Sequence, residues 1–439
     1  MSARTISLPL STGHQLFVEP DARIPLVTFN ITFPGGYAHD PHGKDGLSRL
    51  VGRVLRRGVD GLTANEFEAA IDGLGAEFAF DISASATQLQ GQVIARNADA
   101  FIDLLARMFA RLTAPDAEIQ KTIREAVSEL SEARDNDRVL LHRAFRGALF
   151  HGHGYARSAL GDETTLGAIT PADVRDFAKR RFVRDGATLG FAGAITAEAA
   201  VRLAEHLLAA LGTTPAISAT LPPPSVPKAG RHLLFVDKPE RTQTQLQIGR
   251  LGTSPHDPDH AALLLGNSIF GGSFTSRMMQ EIRVKRGWSY GAGSRLPIDR
   301  ERHEFSMHCA TASEDAAACI ALQIGMLEKL VAEGVTDRET AATKKFLVKS
   351  WAFEVDTAEK RLVHPLDVVA LALPEDYYSG YTARFAATSR EAANAAIARR
   401  LPADDLMICV VGTAGDVLEG LQKAIPNLAS TTVIPYTAA

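Results

Sequence analysis

Thr213 to Gly230 reads TTPAISATLPPPSVPKAG, with Pro215, Pro222, Pro223, Pro224 and Pro227. Stacked prolines remove backbone donors, exclude helix and keep a chain extended and semi-rigid. The stretch lies close to the midpoint of the 439 residues. It reads as a linker, 213–230, between an N-terminal domain, 1–212, and a C-terminal domain, 231–439.

Outward from the linker the two halves read as weak copies of one unit. Leu26 to Phe33 (LVTFNITF) and Thr244 to Leu251 (TQLQIGRL) alternate apolar and polar residues, the pattern of a half-buried strand. A helix candidate follows in each half, Gly46 to Arg57 and His260 to Phe270. Alternating strands come next, around Ala76 to Ala95 and at Glu304 to Thr311. Amphipathic helices follow at Ala98 to Leu112, with Phe101, Leu104, Leu105, Met108 and Phe109 on one face, and at Ala316 to Val331, with Ile320, Ile324, Leu327 and Leu330. Near each end a helix precedes a strand that stops at glycine, Ala187 to Gly193 and Leu406 to Gly412. Thr170-Pro171 has the form of an N-cap with proline at the first helical position. The order is not a strict βαβα alternation. It predicts an α+β fold: two similar domains, each a mainly antiparallel sheet covered by helices, forming a clam hinged at the linker.

Composition narrows the function. Hydrophobic residues make up 46% and charged residues 22%, so the chain buries a sizeable core. Lys plus Arg is 47 against 51 Asp plus Glu, a net charge of −4, which argues against a strongly basic nucleic-acid binder. Cys309, Cys319 and Cys409 form no disulfide framework and no C-x-x-C pair. No apolar run approaches the roughly 20 residues of a membrane span. Met1 to Leu10 lacks the basic and long apolar regions of a signal peptide. The expectation is a cytoplasmic protein, or a periplasmic one from which a leader has been removed.

Two segments carry the chemistry. Gly46 to Val59 reads GLSRLVGRVLRRGV, and Phe270 to Arg295 reads FGGSFTSRMMQEIRVKRGWSYGAGSR. Together they resemble the pitrilysin or insulinase-type zinc peptidases, in particular the short, two-subunit kind related to the mitochondrial processing peptidase. The resemblance runs from about Leu16 to Leu421. It is most specific in the second block, where the Gly-Gly turn, Ser276-Arg277, Gln280-Glu281, Arg283, Lys285-Arg286-Gly287 and Tyr290 fall at family spacing.

The family's zinc motif is H-x-x-E-H on a helix, its histidines one turn apart and its glutamate the general base. The matching positions here are Arg49, Gly52 and Arg53. Arginine offers only donors and stays protonated, so it ligates no zinc. Gly52 takes no proton from water. The family's third ligand, a downstream Glu, matches Glu129, which reads as a solvated helix residue or a partner for Arg49 or Arg53. The resemblance therefore implies no metal in this chain.

Arg283 and Tyr290 match the Arg and Tyr that the family places on its C-terminal domain. A Tyr hydroxyl stabilises negative charge on a scissile carbonyl, and an Arg holds a nearby substrate carbonyl. Arg283 is expected near a helix end broken by Gly287, with Tyr290 on the next strand. On spacing alone the pair also reads as an exposed helical Arg beside Glu281 and an ordinary strand Tyr. Gly271-Gly272-Ser273 reads as a short connection, and Trp288 as a packing residue.

Other candidates are weaker. His256 and His260 are separated by Pro258, which rules out a regular helix across them. His151 and His153 lie in a Gly-rich stretch, and His39 and His42 lack a third ligand. All read as surface residues. No Walker-type phosphate loop occurs.

The resemblance implies a non-metal subunit of a heterodimeric zinc metallopeptidase, inactive alone. A homologous partner with H-x-x-E-H would bring the zinc, and peptides would be the substrates, bound in a cavity shared by the two chains. The alternatives are a structural core or scaffold subunit and a peptide-binding module without proteolysis.

Overall fold

The computed structural model describes residues 5–218 and 220–438. Residues 1–4 of the stretch read for a leader, and Ala219 of the proline-rich segment, lie outside the described residues. Among the described residues of that segment there is no helix or strand, as stacked prolines require.

The fold is α+β, with two six-stranded sheets covered by helices. The first sheet contains β1 (Ile6–Pro9), β2 (Gln15–Pro20), β3 (Leu26–Pro34), β4 (Ala76–Ile82), β5 (Ala86–Ile94) and β6 (Thr188–Gly193), in the order β1-β2-β6-β3-β5-β4. The second contains β7 (Arg231–Asp237), β8 (Gln243–Leu251), β9 (Ala292–Arg295), β10 (Glu304–Ala312), β11 (Leu406–Gly412) and β12 (Leu428–Pro435), in the order β12-β7-β11-β8-β10-β9.

The duplication appears in these orders. β2-β6-β3-β5-β4 and β7-β11-β8-β10-β9 run with the same directions: one parallel pairing, β2 with β6 and β7 with β11, then antiparallel pairings to the edge. The sixth strand differs. β1 precedes its neighbour in sequence and pairs antiparallel, whereas β12 comes from the end of the chain and pairs parallel with β7. Three strands (β1, β2 and β7) stand ahead of the first ones legible in each half.

Two compact units result. The first gathers the chain up to Leu130, Arg157–Thr220 and Ala352–Leu373; the second gathers Ser131–Ala156, Leu221–Trp351 and the chain from Pro374. They differ from the expected halves, 1–212 and 231–439, by two exchanged segments. In the first unit the helix Ala358–Ala370, from late in the chain, lies on β2, β3 and β6. Its buried stripe is Ala358, Leu362, Leu366 and Ala370, at one helical turn per step. Gly190 of β6 makes room for it, since a Cβ there would lie 2.7 Å from Leu362 Cδ1. In the second unit the helix Asp137–Leu149, from early in the chain, lies on the equivalent strands, β7, β8 and β11. Gly249 of β8 admits Phe145 in the same way, at 2.9 Å. Ion pairs to buried partners anchor both helices: Arg361 to buried Glu19 at 2.6 Å, and Asp137 to buried Lys238 at 2.7 Å. Helical periodicity gives the apolar face of such a helix but not the sheet it covers.

Candidate functional site

The helix Leu47–Leu55 carries Arg49, Gly52 and Arg53. Its N-terminus is fixed by Asp40, whose carboxylate accepts from Gly46 N–H at 2.9 Å and Ser48 N–H at 3.0 Å, the arrangement that a helix N-terminus favours. Burial nevertheless pushes the Asp40 carboxyl up to about 6. Leu47, Leu50, Val51, Val54 and Leu55 are buried. Arg49 and Arg53, one turn apart, share the outer face.

Across from them lies the helix Asp116–Asp135. Arg49 Nη2 lies 2.9 Å from Glu129 Oε2, and Arg53 Nη1 lies 2.8 Å from Glu129 Oε1. The second contact is an ion pair without hydrogen-bond geometry. Arg53 also reaches Glu125 at 3.3 Å, and Arg57 reaches Glu125 at 2.8 Å. The fold thus brings Arg49, Arg53 and Glu129 to one point. Gly52 is buried against Phe80, and a Cβ there would lie 3.2 Å from Phe80 Cγ. The residues present do not fit zinc: one carboxylate shared by two cations is no ligand set. Among the described residues no group of three His, Cys, Asp or Glu is placed to hold a metal ion.

The second block is built on a rigid turn. The helix His260–Phe270 ends with Gly271 N–H and Gly272 N–H both donating to the Asn267 carbonyl, at 2.9 and 2.8 Å. Ser294 of β9 donates its N–H to the Gly271 carbonyl at 3.0 Å and its hydroxyl to Asn267 Oδ1 at 2.7 Å. A Cβ at Gly271 would lie 2.4 Å from Ser294 N. Gly271 is thus required by the close approach of β9, and Gly272 by its own helix end, where a Cβ would lie 2.9 Å from Asn267 Nδ2. Arg277 then ties the chain down through Glu339, at 2.7 Å, and the Gly334 carbonyl, at 2.9 Å.

Arg283 lies in the wide turn Met279–Val284, where Lys285 N–H reaches back five residues to the Gln280 carbonyl at 3.0 Å. Such widened turns recur at functional sites. Gly287 ends it with φ of 69°, its N–H donating to the Arg283 carbonyl and Trp288 N–H to the Ile282 carbonyl, both at 3.1 Å, a glycine-terminated helix end of the usual kind. Trp288 packs half-buried against the core of the second unit.

Tyr290 is not on the strand expected for it, because β9 begins at Ala292. Ser289 is the reason. Its hydroxyl donates to the Gly291 carbonyl at 2.7 Å, closing a local bend that turns Tyr290 off the sheet. The Tyr290 side chain is 89% exposed. Its ring centroid lies 4.7 Å from Arg283 Cζ, so the seven-residue spacing does bring the pair together. Glu281 does not pair with Arg283. It is held by Lys285 and by Arg286 at 2.7 Å. Phe274, within the quoted block but not singled out there, lies 5.1 Å from Arg283 Cζ and is 70% exposed. An aromatic residue just past a Gly-Gly-Ser turn was the available signal.

Two histidines correct the surface reading. His260 is buried between Thr253 Oγ1, at 2.9 Å, and the Tyr377 hydroxyl, at 3.0 Å. Burial lowers it to about 4. His153 is also buried, sharing a hydrogen bond with the Pro222 carbonyl at 2.8 Å. Both are satisfied structural residues, while His151, His256 and His42 are exposed and His39 is half-buried. No helix among the described residues is long and apolar enough to cross a membrane.

Residues 17–163 match the insulinase family, peptidase family M16, and residues 168–347 match the peptidase M16 inactive domain. An uncharacterised zinc protease of Rickettsia bellii is 24% identical over 315 residues, 71% of this chain and 74% of that protein. The crystal structure of a peptidase M16 inactive domain from Pseudomonas fluorescens superposes with a TM-score of 0.85 at 23% identity, covering 93% of this chain and 98% of that one. A chain of complex III2 from Candida albicans superposes with a TM-score of 0.76 at 12% identity, covering 95% and 99%. At these identities the two structures establish the fold alone.

Proposed function

The chain belongs to the insulinase family of peptidases, M16, and from that footing we propose that it is the non-metal subunit of a two-chain zinc metallopeptidase. A homologous partner carrying H-x-x-E-H supplies the zinc and the general base. This chain supplies Arg283 and Tyr290 to the peptide.

One observation carries the reading: the chain closes its own motif positions with ion pairs, yet leaves Arg283 and Tyr290 together and available. Among the described residues no carboxylate lies within ion-pair distance of Arg283. Its donors are free to hold a substrate carbonyl, and the exposed Tyr290 hydroxyl is free to donate to the oxygen on which charge develops. Alone, the chain lacks both a Lewis acid and a base for water at Gly52, so it hydrolyses no peptide.

A second reading is a scaffold subunit or a non-cleaving peptide binder, which the absence of zinc ligands at Arg49, Gly52 and Arg53 would equally allow. Co-expression with a similar-sized H-x-x-E-H chain, such as one encoded next to it, separates the two. The proposal expects a stable complex with one zinc per pair and peptide hydrolysis above that of either chain alone. A complex that forms but adds no hydrolysis supports the scaffold reading instead.

A further inference from the structure

Phe274 stands in the open, 70% exposed, three residues after Gly271, whose carbonyl accepts from Ser294 N–H of β9. An exposed aromatic ring gains nothing from burial, so its place depends on what it touches. Its neighbour is the Arg283 guanidinium, 5.1 Å from the ring centroid, and Tyr290 lies 4.7 Å from the same carbon.

A guanidinium on a long side chain samples many rotamers, and binding a substrate carbonyl costs the entropy of fixing one of them. An ion pair would fix it, but it would also occupy the in-plane N–H donors and neutralise the charge. Glu281 is close in sequence and takes no part, since Lys285 and Arg286 hold it. Aromatic rings act differently. They attract the cation through its flat face and leave the N–H edge open. The first ring comes from the substrate pair itself. The second comes from the Gly271–Ser276 turn, whose position is set independently by Ser294 and Arg277.

We propose that Phe274 is a positioning residue for Arg283: it preorients the guanidinium for a peptide carbonyl without taking up a donor. The inference rests on the reading of Arg283 as a substrate-binding residue.

The test has two arms. In the isolated chain, the Arg283 Nε–H resonance is assigned by its disappearance in Arg283→Lys. Phe274→Ala should move that resonance by removing the ring current, and Phe274→Tyr should leave it close to its original place. In the complex with a zinc-bearing partner, steady-state cleavage of a fluorogenic decapeptide of mixed apolar and neutral polar residues is followed. Phe274→Ala should raise KM about fivefold, the worth of one exposed cation–π contact, with kcat within twofold and thermal melting unchanged. Phe274→Tyr should restore KM. An unmoved resonance, or an unchanged KM in Phe274→Ala when Arg283→Ala impairs cleavage, overturns the proposal. If Arg283→Ala itself leaves cleavage intact, the reading of Arg283 fails, and the role of Phe274 fails with it.

Discussion

Arg53 Nη1 stands 2.8 Å from one oxygen of Glu129 while Arg49 Nη2 stands 2.9 Å from the other. One carboxylate thus bridges two arginines a helical turn apart. Two guanidiniums bring the same double positive charge as a divalent ion, so the remaining carboxylate is still balanced. Arg49, Arg53 and Glu129 form a charge-paired contact between two helices.

The Glu129 side chain is 34% exposed, so solvent screens these pairs and their worth is modest. Glu129→Gln should cost on the order of 1 kcal/mol, read from urea unfolding, and the cost should shrink at high salt. A loss several times larger, insensitive to salt, would mean the carboxylate supports the fold in another way.

Because Arg49, Arg53 and Glu129 already converge, Arg49→His with Arg53→His should create a zinc site of two imidazoles and one carboxylate. Metal analysis of the purified double variant should approach one zinc per chain, against well under one for the natural sequence. Peptidase activity should not return, since Gly52 offers no base. Adding Gly52→Glu meets Phe80, 3.2 Å from the new Cβ, and should lower the melting temperature. A double variant that folds and takes up no zinc would contradict the convergence of the three positions.

Much of this was legible from local pattern. Leu26 to Phe33 alternates because Val27, Phe29, Ile31 and Phe33 enter the core, and β3 spans Leu26–Pro34, but it is not half-buried as read, since Asn30 and Thr32 on the other face are buried as well. His260–Phe270 is helical with the bounds its apolar spacing gives, and Thr170 caps Pro171 as expected, accepting from Asp173 N–H. What was not legible depends on partners distant in sequence. β12 is mostly exposed and gains its place by pairing with β7, so no hydrophobic alternation marks it. The exchanged helices have ordinary apolar stripes, and only Gly190 and Gly249 hint at what they cover. Tyr290 leaves the sheet through a single serine hydroxyl. His260 looks like a surface residue by type, but Thr253 and Tyr377 satisfy both of its ring nitrogens in the interior.

Gly271→Ala should be costly although the new group is one methyl. Its Cβ would lie 2.4 Å from Ser294 N and from Ser294 Oγ, and overpacking against backbone typically costs about 1–3 kcal/mol. The melting temperature should fall, and peptide cleavage by the assembled enzyme should fall with it as Phe274 and Tyr290 shift. An unchanged melting temperature would show that the turn yields more easily than this contact implies.

Acid should weaken the second unit in two steps. Burial holds His260 at about 4, below its ordinary 6.5. A depressed folded-state pKa contributes stability that is complete above pH 6.5 and lost as pH falls through about 4. The Arg277 hydrogen bonds hold Glu339 at about 2, below its ordinary 4.5, so its contribution is complete above 4.5 and lost as pH falls toward 2. His260→Gln should flatten the fall of the melting temperature between pH 6.5 and 4 and leave the step below 4.5 in place. The same slope in the variant would mean that other groups carry the first step.

Steady-state peptide hydrolysis by the chain assembled with its zinc-bearing partner decides between a contributing subunit and a scaffold. Tyr290→Phe should lower kcat on the order of a hundredfold to a thousandfold with little change in KM, because the hydroxyl acts on charge present only in the transition state. Arg283→Ala should raise KM as well as lower kcat. Both variants should assemble and melt as the natural chain does. Full activity in the Arg283→Ala, Tyr290→Phe double variant, with assembly intact, would contradict a catalytic contribution and leave this chain a scaffold.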